Sequence, residues 1–227
     1  MRTNIYLSFD EATEAAIKNL RAKLDEKLGR NLMETVQYFL RHTYKMPPHL
    51  SLFVFDDNDQ ESVIKKFKEF ADGIIPFNID LFTTDNFRGE CDDTLFIKPR
   101  LSEELKACYA RALNLFSDAF IMPPYRSLKK WQPHITLTKI ETDMAYLEAE
   151  EFVEESWKPM TASIKKIGLI DVKNPLEVLA EREFIKTEKE TDVSLTCEEA
   201  SLPPREVSPF LSREVPPCAS QPRIRML

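Results

Sequence analysis

Residues 48–52 read Pro-His-Leu-Ser-Leu, and residues 133–137 read Pro-His-Ile-Thr-Leu. The whole chain of 227 residues contains three histidines, so two of them stand in matching frames of proline, aliphatic residue, hydroxyl residue and leucine. The frames begin 85 residues apart. This spacing is long enough for each frame to belong to its own half of a duplicated fold, and the match indicates a shared functional motif.

Each frame is typical of a β-strand with two different faces. Successive side chains of a strand point to opposite sides, so His49 and Ser51 are expected on one face, and His134 and Thr136 on one face of the second strand. The other face of the first strand is then aliphatic and buried, with Leu50, Leu52 and Val54. Each strand is predicted to present an imidazole and a hydroxyl to a cleft.

Paired imidazoles and hydroxyls suit acid–base chemistry on an anion. Imidazole titrates near pH 6.5, so one histidine can serve as a neutral base and the other as a protonated acid. A hydroxyl two residues along the strand can donate a hydrogen bond to a phosphoryl oxygen. The two motifs would hold a phosphodiester from both sides, and the near-equivalence of the motifs leaves open which histidine is the acid.

The paired motifs His49-Leu50-Ser51 and His134-Ile135-Thr136 resemble the signature of the two-histidine phosphoesterase superfamily, which includes bacterial 2′-5′ RNA ligases and cyclic nucleotide phosphodiesterases. That signature is a pair of His-x-Thr/Ser motifs, one in each of two pseudo-symmetric lobes. The resemblance covers residues 1–186. It implies a metal-independent phosphodiesterase acting on a 2′,3′-cyclic phosphate or a 2′-5′ linkage, with His49, Ser51, His134 and Thr136 as catalytic residues.

Two other functions fit the same motifs. A nucleotide- or RNA-binding module would retain the fold with negligible catalysis, and a 2′-5′ RNA ligase would use the same site in the reverse direction. A single histidine in a strand is more often structural than catalytic. His42 lacks the frame and is interpreted as structural or exposed.

Composition limits the substrate and the environment. A net charge of −7 disfavours binding of long duplex nucleic acid and favours a nucleotide or short RNA held locally. No apolar run has the length of a membrane span, and no basic and apolar leader opens the chain. We therefore expect a cytoplasmic protein that does not bind membranes, and a monomer.

The four cysteines show no Cys-x-x-Cys spacing, and the chain contains no His-Glu-x-x-His motif. A disulfide framework and a zinc site are both disfavoured by these patterns. The sequence predicts neither a metal ion nor another cofactor.

Hydrophobic periodicity predicts an α+β fold with two pseudo-symmetric lobes, each a small antiparallel sheet with flanking helices, around a central cleft. Helix, motif strand, helix and hairpin are predicted twice, as in an internal duplication. The predicted strands are 4–9, 49–55, 75–83, 94–99, the second motif strand, 161–171 and 176–185. Five helices are predicted. The first runs from Asp10 to Gly29, the second contains Met33 to Leu40, the third contains Val63 to Phe70 and ends at Gly73, the fourth begins after Ser102, and the fifth spans 143–157.

The loop before the second motif contains cations and aromatic residues in close succession. Residues 123–131 read Pro-Pro-Tyr-Arg-Ser-Leu-Lys-Lys-Trp. Cations attract phosphate and aromatic rings stack on bases, so Tyr125, Arg126, Lys129 and Trp131 are candidate substrate-binding residues. The alternative is a solvated surface loop with one packed aromatic residue.

Composition changes at about residue 187. Residues 187–227 contain six of the 15 prolines and none of the four glycines, without a periodic apolar face. This composition is typical of a disordered tail.

Overall fold

The structure, a computed structural model, describes residues 1–28, 46–88, 93–140 and 143–184. All of these belong to one compact unit, Met1–Lys186. The predicted helix at Met33 to Leu40, His42 and the predicted tail at 187–227 lie outside the described residues. The elements, in chain order, are β1 (Arg2–Phe9), α1 (Glu11–Lys27), β2 (His49–Asp56), α2 (Gln60–Asp72), β3 (Asn78–Phe87), β4 (Asp93–Pro99), α3 (Glu103–Leu115), β5 (Phe120–Ile121), a 3-10 turn (Pro123–Tyr125), β6 (Ile135–Ile140), α4 (Asp143–Ser156), β7 (Met160–Asp171) and β8 (Asn174–Glu183).

Two helices, α1 and α3, begin at the capping residues that the sequence predicts. The Asp10 side chain accepts a hydrogen bond from the Thr13 backbone N–H at 3.0 Å, and Ser102 accepts one from Leu105 at 3.2 Å. Both bonds satisfy an N–H group that has no partner within the helix. The second described helix ends at Gly73, as predicted.

The described strands form one continuous antiparallel sheet in the order β5-β2-β1-β7-β3-β4-β6, with β8 paired to β7. The α+β class is confirmed. The two predicted sheets are joined by the long strand β7, whose residues 160–163 pair with β3 and whose later residues pair with β1. The motif strands β2 and β6 lie in opposite halves of this sheet. Aliphatic and aromatic side chains from the sheet and the helices form the buried core on one side.

Both motif strands contain a β-bulge at the same place. Tyr6 pairs with Ser51 and Ile5 with Phe53, so Leu52 is an extra residue in β2. Phe96 pairs with Thr136 and Leu95 with Thr138, so Leu137 is an extra residue in β6. A bulge shifts the alternation of side chains by one residue. The repeated motif therefore includes a backbone irregularity directly after each hydroxyl residue.

Because of the bulge in β2, the predicted orientation of the Val54 side chain is wrong. Simple alternation placed this side chain in the core with Leu50 and Leu52. In the structure Leu50 and Leu52 are fully buried, whereas Val54 is half-buried and lines a cavity on the opposite face. Lys139 stands at the same distance after Thr136, and it lines the same cavity for the same reason.

Candidate active site

The two motifs converge on one cavity of about 1000 Å³. His49, Ser51, His134 and Thr136 all line it, and all four are half-buried. The size lies at the upper end of the range for small-molecule sites, which is sufficient for a nucleotide. The structure thus brings the four side chains of the two motifs to the same cavity.

The two imidazoles are held in the same way. His49 Nδ1 lies 3.0 Å from the carbonyl oxygen of Pro47, and His134 Nδ1 lies 2.8 Å from that of Gln132. A carbonyl oxygen can only accept a hydrogen bond, so Nδ1 carries the proton in both rings. In each neutral imidazole, Nε2 is then the basic nitrogen, available to a group in the cavity.

Aromatic neighbours fix the planes of the imidazole rings. Tyr6 lies edge-on to His49 with centroids 5.5 Å apart, and Phe87 lies edge-on to His134 at 4.9 Å. Tyr6 packs closely over Gly168, where a Cβ atom would come within 2.3 Å of the tyrosine ring. Glycine at 168 therefore allows the ring to approach β7 and support His49.

Burial shifts the titration of both histidines in the same direction. The pKa of His49 is lowered to about 4, mainly by removal from water; the hydrogen bond to the Pro47 carbonyl acts in the opposite direction, and the positive charges of Arg21 and His134 add to the lowering. Burial also lowers the pKa of His134 below its usual 6.5. Both imidazoles are therefore neutral at pH 7 in the free protein, and an anion bound between them would raise both pKa values.

The hydroxyl and backbone of the motifs have partners on neighbouring elements. Asn4 Nδ2 donates to Ser51 Oγ at 2.9 Å. Arg21, a buried residue of α1, donates from Nε to the backbone oxygen of Thr136 at 3.2 Å and also from Nη2. The helix after β1 thus holds the motif strand of the other half in place.

The cavity is cationic although the chain is acidic. Among the described residues, the charged side chains that line it are Arg2, Lys139 and Lys173, together with the carboxylate of Asp56. Asp56 is paired with Arg2, which holds the pKa of this carboxyl below its usual range. Cationic side chains outnumber carboxylates among the described residues that line the cavity, which favours an anionic ligand there.

The residues proposed from the 123–131 loop do not all reach the cavity. Tyr125 lines it, and burial raises the pKa of its hydroxyl to about 12. Arg126 donates from Nε to the Ile121 carbonyl at 2.9 Å, and Lys129 is exposed; neither lines the cavity.

Trp131 is a core residue in the structure. It is 3% exposed and stacks on Tyr109 with ring centroids 4.3 Å apart. An indole buried in this way cannot stack on a base, so the structure gives it a packing position instead of the predicted binding position.

Sequence reasoning missed Asn4, Arg21 and Lys139. The signal for Asn4 was present, because Asn4, Tyr6 and Ser8 alternate with Ile5, Leu7 and Phe9 along β1 and form a polar face. The orientation of Lys139 could not be predicted because the bulge in β6 reverses the alternation of side chains. The contact of Arg21 with β6 depends on how α1 packs against the sheet.

Comparisons with known proteins identify the family. Residues 9–175 match the model of the 2′-5′ RNA ligase superfamily. The chain therefore belongs to this superfamily, and its resemblance to the two-histidine phosphoesterases is confirmed. Its members are phosphoesterases and RNA ligase-like proteins.

Individual relatives are distant. A Halalkalibacterium halodurans protein with the provisional name phosphoesterase BH1439 is 28% identical over 101 residues, 42% of this chain and 54% of the relative. The chain thus matches about half the length of this curated relative. Among solved structures, Kluyveromyces marxianus Usb1 has a TM-score of 0.45 at 9% identity, covering 81% of this chain and 98% of that one. E. coli LigT complexed with 3′-AMP has a TM-score of 0.42 at 14% identity, covering 74% and 85%.

No described helix is long and apolar enough to cross a membrane. Within the described part of the chain, no three His, Cys, Asp or Glu side chains are grouped as a metal ion would require.

Proposed function

We propose that this protein is a metal-independent phosphodiesterase that acts on 2′,3′-cyclic phosphate or 2′-5′ phosphodiester linkages of nucleotides or short RNA. The observation that carries the proposal is the matched pair of imidazoles, each with its Nδ1 proton directed to a backbone carbonyl and its Nε2 available to one cavity. Membership of the 2′-5′ RNA ligase superfamily supports this choice of substrate class.

In the proposed reaction the phosphate binds between the motifs, and Ser51 and Thr136 donate hydrogen bonds to its oxygens. One Nε2 removes a proton from the attacking water or hydroxyl. The other imidazole, protonated once the anion has raised its pKa, donates a proton to the leaving oxygen. Tyr125 contributes an aromatic wall for the nucleoside.

The direct test offers purified protein 2′,3′-cyclic nucleotides and 2′-5′ linked oligonucleotides in the presence of EDTA, with product identification. Phosphomonoester products at catalytic rates are expected. Binding of the same compounds without turnover would support the binding module instead, and joining of RNA ends would support the ligase direction.

We further propose that the protein acts as a cytoplasmic monomer on these small substrates and does not bind long duplexes. The described cysteine Cys108 is a buried free thiol, which suits a reducing compartment. Analytical ultracentrifugation at the protein concentration used in the activity assays measures the mass in solution and tests whether the protein is a monomer.

The rate of turnover should depend on pH in a bell-shaped curve with its maximum at acidic pH. The free protein needs one protonated and one neutral imidazole, and burial has lowered both pKa values below 6.5, so kcat/KM should reach its maximum below pH 6.5. The bound phosphate raises both pKa values, so the kcat profile should lie at higher pH than that of kcat/KM. Rates from pH 4 to 10 check this, and a continuous rise to pH 10 would point to hydroxide as the nucleophile.

Removal of the Lys139 charge should weaken action on the anionic substrate. A hydrogen bond to a charged group contributes about 1.5–3 kcal/mol, which corresponds to a loss of roughly 10- to 150-fold in kcat/KM for Lys139→Met. Lys68→Met removes an exposed lysine of α2 that does not line the cavity, and it should retain the wild-type rate. Equal effects of the two variants would show that only net charge matters.

A further inference from the structure

Asn4 lies on β1 directly beside the first motif. Its side chain is 6% exposed, it lines the cavity, and its Nδ2 donates to Ser51 Oγ at 2.9 Å. The register explains the contact: Tyr6 is opposite Ser51, and Asn4 is the next residue on the same face of β1. Diagonal neighbours on adjacent strands are within reach of a side chain of this length.

The packing of β1 gives no reason for an amide at this position. Asn4 Oδ1 is buried and, within the described part of the chain, has no hydrogen-bond partner. A buried polar atom without a partner lowers stability, whereas an aliphatic side chain of similar size has no such cost. A purely structural role would therefore be filled better by leucine or valine, as at the neighbouring apolar positions of the sheet.

The direction of the hydrogen bond points to a role in positioning. A serine hydroxyl has one hydrogen to donate and two lone pairs that accept. The amide N–H of Asn4 occupies a lone pair of Ser51 Oγ, so the Ser51 hydrogen is directed to another group. Since Ser51 faces the cavity, we infer that Asn4 is a positioning residue that holds the Ser51 hydroxyl as a donor to the phosphoryl oxygen of the substrate.

This role rests on the proposed function, and it belongs to the first half of the molecule. In the second half the pseudo-equivalent position on β4 is Thr94, which pairs with Lys139 as Asn4 pairs with Val54. The residue at this position of the neighbouring strand thus differs between the two halves, although the motifs themselves match.

The test is a double-mutant cycle between Asn4 and Ser51. Asn4→Leu should lower kcat about 10-fold, less than the loss of the hydroxyl itself, while the melting temperature stays equal or rises. In a Ser51→Ala background the same Asn4→Leu change should have no further effect on kcat, because the amide acts only through the hydroxyl.

Thr3→Val is the matched control, since Thr3 is the adjacent residue of β1, is fully buried, and also has a hydroxyl without a partner among the described residues. It should leave kcat unchanged. Asn4→Val, with a side chain well suited to strands, repeats the test if Asn4→Leu does not fold. Equal losses in both backgrounds, or parallel losses of kcat and melting temperature, would overturn the inference. No turnover by the wild-type protein would instead overturn the proposed function and this role with it.

Discussion

His49→Ala and His134→Ala should each lower kcat by about 10²- to 10⁴-fold, the usual loss when a general acid or base is removed. Both rings line the cavity, and Nδ1 of each is bonded to a backbone carbonyl, which leaves Nε2 for the substrate. The proposed reaction needs a base and an acid at the same time, so neither ring can substitute for the other. Steady-state rates on a 2′,3′-cyclic nucleotide measure the effect. His42→Ala, the third histidine of the chain, is the control and should retain activity.

Asparagine variants separate proton transfer from ring placement. In His49→Asn and His134→Asn, the side-chain amide can still donate to the Pro47 or Gln132 carbonyl in place of Nδ1, but it cannot exchange a proton at neutral pH. These variants should be as inactive as the alanine variants while melting at the wild-type temperature. If either histidine position tolerated asparagine with most of its activity, paired acid–base catalysis would be wrong.

Ser51→Ala and Thr136→Val should lower kcat by about 10- to 10³-fold, the scale for loss of one hydrogen bond to a developing charge. In the proposed reaction the four motif residues address a single phosphate, so Ser51→Ala combined with His134→Ala should cost less than the product of the separate fold-losses. Measurement of kcat for the two single variants and the double variant decides this.

Thr138→Val is a close control for Thr136→Val. It makes the same change two residues along β6, but Thr138 is fully buried on the core side of the strand because of the bulge at Leu137. It should keep the wild-type kcat. Strictly independent effects of Ser51→Ala and His134→Ala would mean that the motifs do not share one phosphate, and unchanged kcat in both hydroxyl variants would make Ser51 and Thr136 structural.

Local signals predicted the elements that carry the motifs. The capping residues Asp10 and Ser102 and the terminal Gly73 are recognised within a few residues of the chain, because a helix end must satisfy its own backbone groups. Strand alternation placed His49 with Ser51 and His134 with Thr136, since the members of each pair are two positions apart and no irregularity lies between them.

Prediction failed where the chain departs from regular geometry or where distant residues meet. Regular alternation along β2 placed the Val54 side chain on the core face, which is wrong. One extra residue, Leu52, reverses the alternation after it, and the hydrophobic pattern does not reveal this bulge. Trp131 was predicted to stack on a base because it lies beside cations in the sequence. In the structure its ring stacks on Tyr109, 22 residues earlier in the chain, and belongs to the core. The presence of aromatic and basic residues in a loop does not show whether an aromatic ring binds a ligand or packs in the core.

The sequence by itself determined which groups form the candidate site of this protein: two imidazole–hydroxyl pairs in matching strand frames, which short-range backbone geometry is enough to orient. Only the tertiary structure decided what surrounds them. The pairing of β1 with β2 set Asn4 against Ser51, the packing of α1 brought Arg21 to the backbone of Thr136, and two bulges turned Val54 and Lys139 into the cavity. These contacts join residues far apart in the chain, so they follow from register and packing, which no local pattern encodes.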